Sequence, residues 1–290
     1  MELTLLPQVM INGLTLGTNY VLMALGFTMI FGVLRIVNFA HGEFYMLGAF
    51  TTFMVVTQLN LNYFLAVVIA VVSGGLLGVV AEEAIFRHFR DKELEGMIVA
   101  LGLSILIQNL ALLAWGPYDQ SIPPVFLGIF KIGTIFYPVE RLMVVLISFC
   151  LMAGFYLFLK RTKVGLAIRA IAQDMECARI QGIRIHRLYP VAFAIGTGLA
   201  AASGAVIGPI FQLNPWMGHM PQLKAFVVVI LGGIGSIPGA FLGGFILGVT
   251  ESFVTTYGSK ALADMLGFVL VIGILLFRPS GLFGQSQVTR

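Results

Sequence analysis

Few residues in this chain can do chemistry, and each stands in apolar surroundings. Glu251 is the one acid well inside an apolar segment. Burying an ion there is costly, so such an acid is a functional candidate by default, and a carboxyl group can carry a proton. Glu251 also lies about two helical turns before Thr255-Thr256-Tyr257, close enough to reach a polar boundary. A second group is Asn38-Phe39-Ala40-His41-Gly42-Glu43, set where one apolar segment ends and another begins. Asn38 suits the cap of the second helix, and Glu43 suits its positive end. Capping does not account for His41 close to Glu43, so the pair is a candidate for gating or solute contact. No other His or Cys cluster accompanies it, and a metal site is not expected. The third group is Gly232, Gly233, Gly235, Ser236 and Gly239, which with Pro238 break a long apolar stretch. Small residues four apart, as at Gly235, Gly239 and Gly243, let backbones approach closely. Irregular backbone there could also border a path, because only protein or a water cavity can satisfy it, and both readings can hold together.

What is missing narrows the chemistry. There is no G-x-x-x-x-G-K-[ST] phosphate loop, no H-E-x-x-H and no G-x-S-x-G. The chain is therefore expected neither to hydrolyse ATP nor to be an enzyme. Cys150 falls in an apolar span and Cys177 in a basic loop, which argues against a disulfide.

The elements that position these residues follow from charge. Of 290 residues, 59% are hydrophobic and 10% charged, against roughly 25% charged in soluble domains. Charge is absent between Leu3 and Leu34, Phe44 and Ala81, Gly96 and Tyr118, Leu142 and Leu159, Leu188 and Leu223, and Ala225 and Thr250. A membrane-crossing helix needs about 20 apolar residues. Continuous apolar runs such as Val144 to Leu159 exclude an alternating barrel strand, so the expected class is an all-α polytopic transmembrane bundle with broken or re-entrant helices. Helices are expected near 9–33, 43–58, 63–86, 97–115, 140–159, 188–211 and 261–277, with a hairpin or re-entrant pair over 222–256. That makes one domain over residues 1–290, with about eight crossings and a broken segment near 222–239.

Basic loops orient the chain. Arg87, Arg90 and Lys92 mark one cytoplasmic loop, and the loop 160–187 marks another. The N-terminus is then outside and the C-terminus, with Arg278 and Arg290, cytoplasmic. Outside are His219 and four of the 17 basic residues, Lys131, Arg141, Lys224 and Lys260. The formal charge of +4 is a topology signal here rather than one for nucleic acid. The N-terminus lacks a basic region and cleavage site, so the first span is expected to be retained.

The loop 160–187 is patterned. Ile168, Ile171, Met175 and Ala178 recur at helical spacing, Arg169 and Asp174 lie between them, and Gly182 suits a helix stop. One amphipathic helix over 165–182 is expected. Its mixed charges suit a protein partner better than anionic lipid.

These features resemble the shorter of the two paired permeases of bacterial branched-chain amino-acid ABC importers. The matching motifs are Asn38 to Glu43; Gly165 to Ala170 with Asp174, Ala178 and Gly182; Gly232 to Ala240; and Arg278 to Gly284. They run in order through nearly the whole chain. The resemblance implies an inner-membrane permease that forms half of a pathway for leucine, isoleucine or valine. It implies a homologous second permease, two cytoplasmic ATPase subunits that use the ATP, and a periplasmic binding protein. The loop 165–182 matches the place where such permeases contact the ATPase. The wider family includes importers of amides, urea and sugars. The rival from another class is a proton-coupled secondary transporter using Glu251.

Overall fold

A computed structural model describes residues 6–90, 92–132, 135–278 and 280–283. Met1, Glu2, Pro279, Gly284 and Arg290, on which parts of the expectation rest, lie outside the described residues. The chain folds as a bundle of α-helices: α1 (Leu6–Leu34), α2 (His41–Phe53), α3 (Tyr63–Ala84), α4 (Glu93–Trp115), α5 (Val139–Arg161), α6 (Lys163–Gln173), α7 (Met175–Ile180), α8 (Ile185–Ile207), α9 (His219–Gly232), α10 (Ile237–Tyr257) and α11 (Lys260–Phe277). A π-helical turn, Met54–Gln58, extends α2. A hairpin, β1 (Ile129–Ile132) and β2 (Ile135–Pro138), lies between α4 and α5. Among the described residues, α1, α3, α4, α5, α8, α10 and α11 are long and apolar enough to cross a membrane. The protein is an all-α, multi-pass membrane bundle.

Local chemistry sets the boundaries. Asn62, Thr162, Asp174, Ser236 and Ser259 cap α3, α6, α7, α10 and α11, each side chain accepting a free backbone N–H. The break in 222–256 is the four-residue turn Gly233–Ser236. Its Gly233 (φ 100°) and Gly235 (φ 82°) adopt conformations that only glycine takes without strain. The turn sends α10 back along α9. Gly281 packs on Gly233, and the N–H groups of Leu282 and Phe283 donate to the carbonyls of Leu231 and Gly232. Gly281, Leu282 and Phe283, beyond α11, therefore lie at the same end of the bundle as the turn.

Close backbone approach holds the bundle together. α1 is buried along most of its length. Against it, Gly13 and Gly17 meet Gly248 and Val249 of α10, and Gly26 meets Gly196 of α8. Gly48 of α2 meets Ala201 of α8, and Gly239 lies directly on Gly232. A Cβ at most of these glycines would collide with backbone. Glycine is used here for close van der Waals packing between helices, because apolar lipid provides no hydrophobic drive for them to associate. The close-packing reading of the glycines is the one that this geometry fits.

Two expectations need correction. The segment 165–182 is two helices, because Asp174 leaves the helical conformation (φ −153°, ψ 109°), ends α6 and caps α7. His219 is not beyond the end of a crossing. It begins α9 inside the bundle, as described below, because the apolar stretch 208–218 turns back among the helices instead of continuing α8.

Candidate functional site where two helices begin

α1 ends at Leu34, yet α2 begins beside the middle of α1. His41 Nε2 donates to the Met23 carbonyl at 3.1 Å. Met23 is 11 residues, or about 16 Å, back from the end of α1. Residues 35–40 cover that distance without helix. The chain reverses at Arg35, which has φ 56° and whose N–H still closes the last turn of α1 onto Phe31. Six residues can span at most about 20 Å, enough for the return.

α9 begins at the same place. Gly218 packs on the backbone of Gly42, and Gln222 Oε1 accepts the Gly42 N–H at 2.6 Å. From this junction the helices diverge. α2 runs toward the end of the bundle where Tyr63 donates to the carbonyl of Val206. α9 passes Phe27 of α1, through Phe226, and ends at the Gly233 turn. With 14 residues, α9 spans about 21 Å, short of a roughly 30 Å hydrocarbon core.

Polar side chains gather at the junction. Glu43 Oε1 accepts from Ser104 Oγ at 2.9 Å and from Gln108 Nε2 at 2.6 Å, both from the central part of α4. The same Gln108 nitrogen lies 3.2 Å from Ser104 Oγ and 2.6 Å from His219 Nε2. Glu43 is buried, Gln108 half-buried and His219 exposed, so the cluster opens on one side of the subunit. Among the described residues no cation lies within ion-pair distance of Glu43, and its Oε2 has no hydrogen-bond partner.

The expected residues divide. Asn38 does not cap α2. Its Oδ1 accepts the Ala40 N–H at 3.0 Å, shaping the turn before the helix. His41 and Glu43 do not act as a pair: His41 is buried edge-on to Phe27 of α1 while Glu43 faces α4. Residues two apart on a helix do not face each other. Gly232, Gly233, Gly235, Ser236 and Gly239 form the α9–α10 turn, at the far end of α9 from the junction. Sequence reasoning assigned no role to Ser104, Gln108 or Gln222 and placed His219 only as an outside residue. The readable signal was Ser104 and Gln108, polar and four apart on an apolar helix, hence on one face.

Glu251 belongs to a different group. Its Oε2 accepts from Tyr20 at 3.0 Å and lies 3.2 Å from Lys224 Nζ, which is also 2.9 Å from Asp264. This network ties α1, α9, α10 and α11 together. Lys224, expected outside, is thus buried as the counter-charge of two acids.

At the basic end of the bundle, α6 packs so closely on α5 that Gly165 lies against the backbone of Leu159. Ile168, Ile171 and Ala178 are buried against the chain's own helices and Met175 is half-buried. The stripe expected to face a partner is therefore already covered. Leu166 (59% exposed) and Ile180 (83%) remain open, with Glu176 and Arg179 nearby in sequence and also exposed. Arg169 is half-buried, and Gly182 turns the chain after α7 with φ 81°. The Asp174 carboxylate accepts the Cys177 N–H at 2.9 Å and is held below its usual range by that bond and by the Cys177 thiol. The same carboxylate pushes the Cys177 thiol up. Nearby, Arg90 pairs with buried Glu82, and its guanidinium lies 4.5 Å over the Tyr189 ring. Tyr189 Oη in turn reaches Met175 Sδ at 4.0 Å.

Residues 9–275 match the family model described as branched-chain amino acid transport system, permease component. The chain is 35% identical over 298 residues to the high-affinity branched-chain amino acid transport system permease protein LivH of Escherichia coli K12, covering 98% of this chain and 97% of that protein. It is 34% identical to BraD of Pseudomonas aeruginosa, also named a high-affinity branched-chain amino acid transport system permease protein, at the same coverage. A probable branched-chain amino acid transport permease protein, LivH of Methanocaldococcus jannaschii, is 24% identical over 96% of this chain and 92% of its own length. No solved structure matches the chain. By the extent of the family match and the near full-length identity to its members, this chain belongs to the family of branched-chain amino acid transport system permease components.

Proposed function

We propose that this chain is the membrane permease subunit of an ATP-driven importer and forms half of a pathway for leucine, isoleucine and valine. The observation that carries the reading is the junction of α2 and α9. Two helices begin inside the bundle, run in opposite directions, and place Glu43 and His219 at their common start, open to one side. Discontinuous helices meeting near mid-membrane are how many transporters build a solute site without exposing backbone to lipid. The open side suits a homologous second permease, which would complete the pathway. A periplasmic binding protein would deliver the solute.

The basic end of the bundle faces the cytoplasm in this reading, by the bias of its arginines and lysines. Two ATPase subunits would dock there on the open face of α6 and α7, through Leu166 and Ile180, while Ile168, Ile171 and Ala178 fix those helices to the bundle. Met175, Tyr189, Arg90 and Glu82 then connect α7 to α8 and α3. ATP binding below would shift the balance between inward- and outward-open states, with solute gaining and losing access in turn. The chain itself performs no chemistry and holds no cofactor in this scheme.

The rival, proton coupling through Glu251, is disfavoured by Lys224. A coupling acid must be open to a proton path, whereas Glu251 is buried and held by Lys224 at 3.2 Å and by the Tyr20 hydroxyl at 3.0 Å. The test is uptake of labelled leucine by proteoliposomes carrying this chain, its second permease, the ATPases and the binding protein. ATP-dependent uptake, competed by isoleucine and valine but not by urea or simple amides, is expected. Uptake of urea or an amide in preference to leucine would overturn the substrate assignment.

A further inference from the structure

We propose that Glu43, Ser104 and His219 form a seat for the primary ammonium group of the transported solute, and that the Gln108 side chain occupies this seat in the conformation described. The inference rests on the permease reading above and goes beyond it by assigning the group that is recognised.

The argument begins with the hydrogens. The Gln108 nitrogen has three acceptors around it: Glu43 Oε1 at 2.6 Å, His219 Nε2 at 2.6 Å and Ser104 Oγ at 3.2 Å. A primary amide has two hydrogens, so it can satisfy only two of them at once. An ammonium has three, one for each. The site thus offers one more acceptor than its present occupant can use.

Charge gives an independent argument. Among the described residues the other two buried acids, Glu82 and Glu251, have cations at ion-pair distance, Arg90 and Lys224. Glu43 has none among the described residues. It is 1% exposed, and its second oxygen has no partner. A carboxylate buried in this way is costly without a counter-charge. A solute that carries its own cation supplies one while it is in the seat, and an amide nitrogen donates in its place when the seat is empty of solute. Position agrees with this. Gln108 and His219 stand between Glu43 and the open side of the subunit, so rotation of one exposed-side glutamine uncovers the acid. The ligand class that fits is a zwitterionic amino acid presenting its ammonium, rather than urea or a neutral sugar.

Three variants in the complete reconstituted transporter test the assignment, read out with labelled leucine. Glu43→Gln keeps the shape and can still bond Ser104 and Gln108, but it has no charge. Uptake should fall at least tenfold, while membrane abundance, ATPase retention and binding-protein-stimulated ATP hydrolysis stay within twofold of the parent. Glu43→Asp should recover part of the uptake. Gln108→Ala, which empties the seat, should keep at least half of it. Uptake by Glu43→Gln within twofold of the parent overturns the proposal, because a neutral hydrogen-bonding residue would then suffice. Loss of assembly or of ATP hydrolysis in that variant also overturns it, by making Glu43 a structural residue. A tenfold loss in Gln108→Ala does so too. Should the parent complex itself import no amino acid, the permease reading fails and takes this inference with it. Normal import by the parent and by Glu43→Gln sinks this inference alone.

Discussion

Replacing Lys224 with Met removes the cation shared by buried Glu251 and half-buried Asp264. Its Nζ lies 3.2 Å from Glu251 and 2.9 Å from Asp264, and its side chain is 7% exposed. At an effective dielectric constant of about 20, each pair contributes roughly 5 kcal/mol of gross attraction. The desolvation of the ammonium offsets several kcal/mol of that, and truncating one member of a buried pair costs about 3–5 kcal/mol net. Glu251→Gln should cost less, about 1–2 kcal/mol, because Lys224 keeps Asp264 and the Tyr20 hydroxyl can still donate to the amide oxygen. At about 2 °C per kcal/mol for a chain of this size, the apparent melting midpoint should drop by roughly 6–10 °C in Lys224→Met and by roughly 2–4 °C in Glu251→Gln. Thermal unfolding in detergent, followed by the loss of monodisperse protein, measures both. Adding Glu251→Gln and Asp264→Asn to Lys224→Met should recover most of the loss, since no unpaired charge then remains. The reasoning is refuted if Lys224→Met is as stable as the parent, or if Glu251→Gln is the more damaging of the two.

Other expected outcomes concern packing, docking and thiol reactivity. Gly239→Leu should cost well over the 1–3 kcal/mol of ordinary overpacking, because its Cβ meets the Gly232 backbone. Gly154→Leu, with nothing nearby, should stay within about 0.5 kcal/mol, and equal melting shifts would contradict the close-packing account. Leu166→Asp and Ile180→Asp should leave membrane abundance unchanged and lose the ATPase in a pull-down; full retention by both would remove the docking face. Ile168→Asp, which buries a charge among the chain's own helices, should instead lose abundance. At neutral pH the raised Cys177 thiol is mostly unreactive, because only the thiolate attacks. Asp174→Asn keeps a capping residue and removes the charge, so the pH profile of labelling by an impermeant maleimide should shift downward. An unmoved profile would show that Asp174 does not govern the thiol.

Much of the bundle was legible because charge is expelled from membrane spans. The uncharged stretches locate the long helices to within a few residues, and Gly233 and Gly235 announced the α9–α10 turn by chemistry that no other residue supplies. The junction was far less legible. Hydropathy reports that a stretch avoids water, not which way it runs. Residues 35–40 carry only the Arg35 charge and 208–218 carry none; Gly208-Pro209 and Asn214-Pro215 signal a break there, but not that the chain turns back into the bundle. Glu43 was found, but its partners lie 61 and 65 residues away and no local pattern ties them together. The stripe on 165–182 was read correctly as apolar, and its direction was not, because periodicity cannot say whether a face packs on its own chain or on another.

The central claim is that ATP hydrolysis by partner subunits drives the movement of a solute through this chain. The most direct measurement is initial leucine uptake into proteoliposomes of the full complex, with ATP and the proton gradient varied independently. Uptake should require ATP, survive complete dissipation of the gradient, and persist substantially in Glu251→Gln. Uptake that continues without ATP, collapses with the gradient and is abolished by Glu251→Gln would contradict the account and identify a proton-coupled transporter in its place.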